Sequence, residues 1–409
     1  MINKVLPILA LTAILIGENV FSQSQDSLLV AAIQSNTYNL AVTDGKFSGN
    51  GAEIIRKAIS EAQFLLVGEQ HGIREVAAFT GALFLEGTNS GFEYLCIETD
   101  PFIASVLEEK AGSDVEAYLD FSKAFPMSVP FYGFKEEFDL LQKAVKASKA
   151  SGPVLWGTDQ VFMTAPRYLF SRLAEIAPNK KAEQVALAYL EKAKAAFEEA
   201  MKTNNPSKLL LYSLKPDDFK TLYDAFGKAS GEATRIIQAI QKSQEVYLLW
   251  AMKKQYDNNH ARSQLMKKQF MEYYNRAAQG GKLPKVVFKF GSTHTYRGLS
   301  AYDQFDLGNM VSELAEMNGR YSLHFNVTGV TGQAQGPFGP PRPFDNTRSM
   351  NPVIAQVIAS RPDTKQWVLM DMRPLRNSVP DKVLQPVRDM VYGYDFWIFV
   401  PDAKPVTGF

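Results

Sequence analysis

The strongest constraint on this chain is a set of short apolar runs that stop abruptly at glycine, histidine or acid. Phe64-Leu65-Leu66-Val67 is followed by Gly68-Glu69-Gln70-His71-Gly72, and Val286-Val287-Phe288-Lys289-Phe290 by Gly291-Ser292-Thr293-His294. Tyr94-Leu95-Cys96-Ile97 ends in Glu98, and Val154-Leu155-Trp156-Gly157-Thr158 in Asp159. Runs this short and this apolar read as strands buried on both faces, the signature of a parallel sheet covered by helices. Segments of helical periodicity lie between them, at Ala52 to Ala62, Glu75 to Leu85 and from Pro101 onward. Pro101 opens its helix where a missing N–H leaves nothing unsatisfied. The alternation predicts an α/β fold with a mostly parallel sheet flanked by helices.

In an open sheet of this kind, ligands bind beyond the carboxyl ends of the strands. Four strand ends would then deliver Glu69, His71, Glu98, Asp159 and His294 to one rim. Glu69 and His71 are two residues apart, so extended backbone projects them to one side. Two imidazoles among carboxylates can move protons or hold a divalent metal. As strand terminators, Glu98 and Asp159 have a simpler reading as helix caps.

Residues 24–50 are polar with turn signals and read as an arm leading into the domain. Residues 114–150 are helical, broken around Phe125 to Pro130. From Pro166 to Gln279 no strand is evident. The stretches Ala186 to Met201 and Glu232 to Ala278 have helical periodicity, and we read 166–280 as a helical insertion near the carboxyl-terminal rim of the strands. The α/β domain thus comes in two parts, 24–165 and 281–409. Further strands are expected at Tyr321 to Val327, Gln366 to Met370 and Asp395 to Val400. The Gly- and Pro-rich Gly332 to Phe344 reads as a semi-extended loop.

The first residues resemble an export signal. Lys4 precedes an apolar run from Val5 to Ile16, and Val20-Phe21-Ser22 offers a cleavage site, so 1–23 is expected to be removed and the mature chain to be periplasmic or secreted, with no membrane span. The net charge of +1 over 409 residues gives no field for nucleic acid. The single cysteine, Cys96, excludes an internal disulfide and lies inside an apolar strand, where a thiol is inert. His260 reads as a surface residue and His324 as a satisfied strand histidine. Arg262, one helical turn before Met266, is a cation that could reach the rim from the insertion; Arg297, in the segment after His294, is a second supporting candidate. No Gly-x-Ser-x-Gly, His-Glu-x-x-His, phosphate-binding loop or dinucleotide fingerprint is present.

Phe64 to His71, Cys96-Ile97-Glu98, Trp156 to Gln160, Arg262 with Met266, and Phe290 to His294 occur in the order found in erythromycin esterase-like proteins. The chain resembles that group, which is related to the haem-uptake ChaN-like and Tiki proteins, over roughly Phe64 to Gly308. The resemblance implies a rim cleft in which Glu69, His71, Glu98 and His294 activate water, with Arg262 reaching in from the helices. Two features depart from the esterase pattern. Only Gln70 separates Glu69 from His71, a spacing closer to the ChaN-like and Tiki proteins, and Ser292 stands where esterases tend to show His or Asn. The expected function is hydrolysis of an ester, lactone or amide of a small molecule by His/Glu general acid–base catalysis, with Asp159 orienting a histidine. The alternative is a haem-, iron- or other metal-binding protein, with Glu69, His71, Glu98 and His294 as candidate ligands and a divalent metal or haem as cofactor.

Overall fold

The structure is a computed structural model that describes residues 26–227, 231–336, 338–363 and 365–409. The expected export segment, 1–23, lies outside the described residues. The strands are β1 (Thr37–Thr43), β2 (Lys46–Ser48), β3 (Phe64–Glu69), β4 (Phe92–Ile97), β5 (Leu155–Gly157), β6 (Lys285–Gly291), β7 (Ser322–Ala334), β8 (Arg342–Asp345), β9 (Trp367–Asp371) and β10 (Phe396–Ala403). They form one ten-stranded sheet in the order β2-β1-β9-β10-β7-β3-β6-β4-β5, with β8 paired to β7 outside that path. From β10 to β5 every neighbour is parallel. The β1, β2 and β9 pairings and the β7–β8 hairpin are antiparallel.

The α/β architecture follows from burial on both faces. All six residues of β3 are buried. Leu65 and Val67 face one apolar layer with Ile55, Phe79, Leu83, Leu107 and Leu141 from the covering helices. Phe64 and Leu66 face the other layer, with Phe288, Met266, Phe270, Tyr274 and Val311. The central strands therefore show no polar alternation, because neither face meets water.

Between β5 and β6 the described residues form no strand, and long helices lie at Pro166–Glu175, Lys180–Thr203, Pro216–Phe226, Gly231–Ala251 and Gln255–Ala277. Met266, Phe270 and Tyr274 are buried at helical spacing and seat the helix Gln255–Ala277 on the sheet. Among the described residues, no helix is long and apolar enough to cross a membrane.

Two parts of the sheet differ from expectation. The polar arm at 24–50 contains a helix at 26–35 and the β1–β2 hairpin. Asp44 and Gly45 both have positive φ, 51° and 73°, which suits a two-residue hairpin turn. The expected loop from Gly332 to Phe344 is shorter than expected: its first three residues end β7 and its last three belong to β8, which pair as a hairpin. Both are edge elements with a solvated face, so their sequences lack the apolar run that marks the central strands.

Candidate functional site

The rim is built from the ends of four adjacent parallel strands. Glu69 closes β3, and the ladder continues past it, since the Gln70 N–H donates to the Val327 carbonyl at 3.1 Å. The Gln70 side chain turns the other way and accepts from Thr328, Gly329 and Asn346. That pin leaves Glu69 and His71 on one side, with Glu69 Oε1 3.0 Å from His71 Nδ1. The turn is held again at Gly72, whose carbonyl accepts from the Gln335 and Val406 N–H groups, while Arg74 N–H donates to the Lys404 carbonyl. Gly72 has φ +83°, and a side chain there would strike the Gln335 carbonyl.

Glu98 follows β4 directly and is buried. Its Oε2 accepts the Gly291 N–H at 2.6 Å and lies 3.7 Å from His71 Nε2. Its Oε1 accepts from Arg262 at 2.7 Å and lies 3.8 Å from His294 Nε2. Gly291 leaves room for the His71 ring, since a Cβ on it would lie 3.0 Å from His71 Nε2 and press the ring aside. Past Gly291 the chain turns into the short helix Ser292–Thr295, which carries His294. His294 Nδ1 is 2.7 Å from Oδ2 of Asp306, whose other oxygen accepts the Leu307 N–H at the start of the helix Leu307–Met317.

Arg262 reaches the rim from the helix Gln255–Ala277, one turn before the buried Met266. Its guanidinium forks onto Asp159 (2.9 and 2.6 Å) as well as Glu98. Asp159 therefore orients Arg262 rather than a histidine, and the residue that orients His294 is Asp306. Arg297 does not join the rim. Its partners are Asp395, Ser312 and the Tyr392 and Ser322 carbonyls, in a knot that also holds Arg376. His324 is fully buried, bonded to the Thr295 carbonyl and Ser322, and burial pulls its ring down to about 3, so it stays neutral. His260 is exposed and bonds Gln304. Cys96 is buried, which pushes its thiol up.

Besides Asp306, four residues at the rim escaped the sequence reading: Lys289, Glu137, Tyr132 and Phe131. Lys289 is the one charge inside the run of β6, and it is completely buried. Its ammonium is 2.8 Å from Glu69 Oε1 and 3.0 Å from Oε2 of Glu137, on the helix Lys135–Ala147. Tyr132 accepts the Glu98 N–H at 3.1 Å and donates to the Lys289 carbonyl at 3.0 Å. Phe131 stacks on His71, with ring centroids 4.1 Å apart and planes 7° apart. Phe131 has φ 57°, a conformation a bulky residue adopts only under constraint. The broken helical pattern around Pro126 and Pro130 marks this segment.

The electrostatics follow from burial and pairing. Burial alone would raise Glu69, but Lys289 and His71 outweigh it and hold the carboxyl down to about 2. Glu137 is pushed up to about 7, because burial outweighs its share of Lys289. Burial would lower His71, yet Glu69 and Glu98 raise it. Glu98 is lowered despite its burial by His71, Arg262 and His294. Asp306 is lowered against its burial chiefly by the bond to His294.

Atoms of Glu69, His71 and Glu98 lie within 4.8 Å of one another, close enough in principle to share a cation. The donor set fits one poorly. Glu69 Oε1 is already held by Lys289, and Glu98 by Arg262 and the Gly291 N–H. A metal would add a third positive charge between two buried cations. The unengaged atoms are His71 Nε2 and Glu69 Oε2, the latter buried without a hydrogen-bond partner. A separate cleft of about 1100 Å³ runs between the helix Pro101–Ala111 and the insertion, and none of the rim carboxylates or histidines lines it.

The chain matches no protein-family model and no curated protein. Solved structures do match along nearly its whole length. One is a variant of erythromycin esterase EreC in its open conformation, with a histidine changed to asparagine: 15% identity, 90% of this chain and 98% of that one, TM-score 0.58. The fold is that of erythromycin esterase. A Bacillus cereus protein shares it at 16% identity, 93% and 98% coverage and TM-score 0.58. A succinoglycan biosynthesis protein shares it at 13% identity, 93% and 98% coverage and TM-score 0.57. Identities this low carry the erythromycin esterase-like fold and nothing of substrate.

Proposed function

We propose that this chain is an exported hydrolase that cleaves an ester, lactone or amide of a small molecule by general acid–base catalysis on water. The observation that carries the reading is the meeting of two carboxylate–imidazole pairs at one carboxylate. Glu69 holds Nδ1 of His71, Asp306 holds Nδ1 of His294, and both Nε2 atoms face Glu98. In each pair the anion fixes the ring so that Nε2 is the working nitrogen.

In this reading His71, the more accessible ring with a side chain 33% exposed, takes a proton from water as the water oxygen bonds to the acyl carbon. His294, held at Nδ1 by Asp306, gives an Nε2 proton to the leaving oxygen or nitrogen as the acyl bond breaks. The proton gained by His71 returns to His294 through Glu98, which lies within 4 Å of both rings. One water is consumed and the site is reset. Arg262 holds Glu98 anionic between turnovers.

The test is hydrolysis of p-nitrophenyl acetate and butyrate, and of γ- and δ-lactones, by the purified chain. Positioned acid–base groups contribute about 10²–10⁴-fold, and His71→Ala should lose a factor of that size while its circular dichroism spectrum and melting are unchanged. Equal turnover by wild type and His71→Ala removes His71 from the chemistry.

A further inference from the structure

We propose that Lys289 is a positioning residue: its buried ammonium holds Glu69 against His71 Nδ1, so that His71 keeps its proton on Nδ1 and presents a bare Nε2 to the cleft. The inference rests on the reading of His71 as the base, and it adds a residue that touches no substrate.

The geometry is specific. Val67 and Lys289 are register partners on β3 and β6, with Glu69 opposite Gly291 two pairs further on. Side chains of Val287 and Lys289 share a face, as do Val67 and Glu69. Val287 and Val67 pack in the apolar layer below. Lys289 thus rises from a dry layer to meet Glu69 Oε1 at 2.8 Å, the same oxygen that lies 3.0 Å from His71 Nδ1. An anionic oxygen shared between an ammonium and a ring nitrogen accepts from both, which leaves His71 Nδ1 as the donor.

The surroundings hold Lys289 itself in place. Glu137 Oε2 takes it from a second side at 3.0 Å, and the Tyr132 ring lies 4.8 Å away. Tyr132 also bridges the Lys289 carbonyl and the Glu98 N–H, which ties the Lys289 backbone to the carboxylate facing Nε2. A purely structural set of buried charges would be replaceable as a set by well-packed apolar residues with little loss. A positioning residue would not be.

The experiment separates these by reading the imidazole tautomer without any substrate. The full chain has four histidines, so ¹⁵N-histidine labelling with long-range ¹⁵N–¹H correlation spectra, assigned through His71→Gln, resolves the His71 ring. Spectra are compared at alkaline pH, where the ring is neutral. Wild type is expected to give one Nδ1–H species. Lys289→Met is expected to show a substantial Nε2–H population, and Lys289→Arg, which keeps the charge, to restore the Nδ1–H form.

Removing Lys289 alone leaves two buried carboxylates. Should that variant not fold, Lys289→Met with Glu137→Leu leaves one carboxylate and is expected to show the same change of tautomer. An unchanged Nδ1–H ring in a folded Lys289 variant overturns the proposal. So does a wild-type ring protonated on Nε2. If wild type also hydrolyses esters, Lys289→Met should lower kcat about ten-fold or more with KM unchanged, a smaller loss than the roughly 10²–10⁴-fold expected for removing the base itself. Absence of hydrolysis in wild type would sink the hydrolase reading while leaving the tautomer result to stand or fall by itself.

Discussion

The carboxylate of Glu98 lies between two imidazoles, 3.7 Å from His71 Nε2 through one oxygen and 3.8 Å from His294 Nε2 through the other. Glu98→Gln keeps the shape and an oxygen for the Gly291 N–H, but removes the charge and the capacity to carry a proton. Turnover should fall by about 10²-fold, at the low end of the acid–base range. Loss of an anion beside His71 should also lower the pKa of that ring, moving the acidic limb of the kcat/KM profile to lower pH. An unmoved acidic limb would show that Glu98 does not act on His71.

Arg262 neutralises Glu98 and Asp159 together. Arg262→Leu leaves both carboxylates without their cation, and breaking one side of a buried ion pair costs roughly 3–5 kcal/mol. Arg262→Lys should recover only part of this, because an ammonium cannot fork onto Asp159 and reach Glu98 at once. Urea unfolding of the three proteins tests the order wild type, then Lys, then Leu.

The raised carboxyl of Glu137 gives a pH signature. Its pKa goes from 4.5 to about 7, so the folded state holds this proton more tightly than the unfolded state. Its contribution to stability is present at low pH and is lost as pH rises from about 4.5 to about 7. Glu69 has the opposite sign, its contribution being lost as pH falls from 4.5 to about 2. Glu137→Gln should therefore flatten the decline in stability between mildly acidic and neutral pH and leave the steep acid limb in place. Equal slopes in the two proteins would show Glu137 ionised at neutral pH.

Lys289 and Arg262 each hold one carboxylate oxygen of the rim, Oε1 of Glu69 and Oε1 of Glu98, and so already supply cations there. Exhaustive dialysis against EDTA should leave ester hydrolysis within two-fold, as expected where the two cations are side chains. A loss of ten-fold or more that is restored by Mn²⁺ or Zn²⁺ would establish metal-assisted attack instead.

Much of the fold and part of the rim was legible in the chain itself. Strands such as Phe64–Glu69 and Lys285–Gly291 are buried on both faces, and their runs of apolar residues announce them. Residues placed at their ends, Glu69, His71 and Glu98, meet because parallel strands end on one side. Partners from elsewhere were not legible. Asp306 is also a helix cap, and nothing local distinguishes a cap from a residue that also orients His294. Lys289 stands out as a charge in a strand, but Glu137 reaches it from a helix distant in the chain, so the pairing is set by tertiary packing. Arg297 follows His294 closely, yet the turn after the short helix sends it to Asp395.

The turn that carries His71 is fastened to residues far along the chain: Thr328, Gln335, Asn346, Lys404 and Val406. A ribosome that has made the first three hundred and ten residues has supplied both imidazoles and the carboxylates Glu69, Glu98, Asp159 and Asp306, but not the fastenings that aim the first ring. During synthesis, competence should therefore arrive late and abruptly, once the segment around Val406 has emerged and docked.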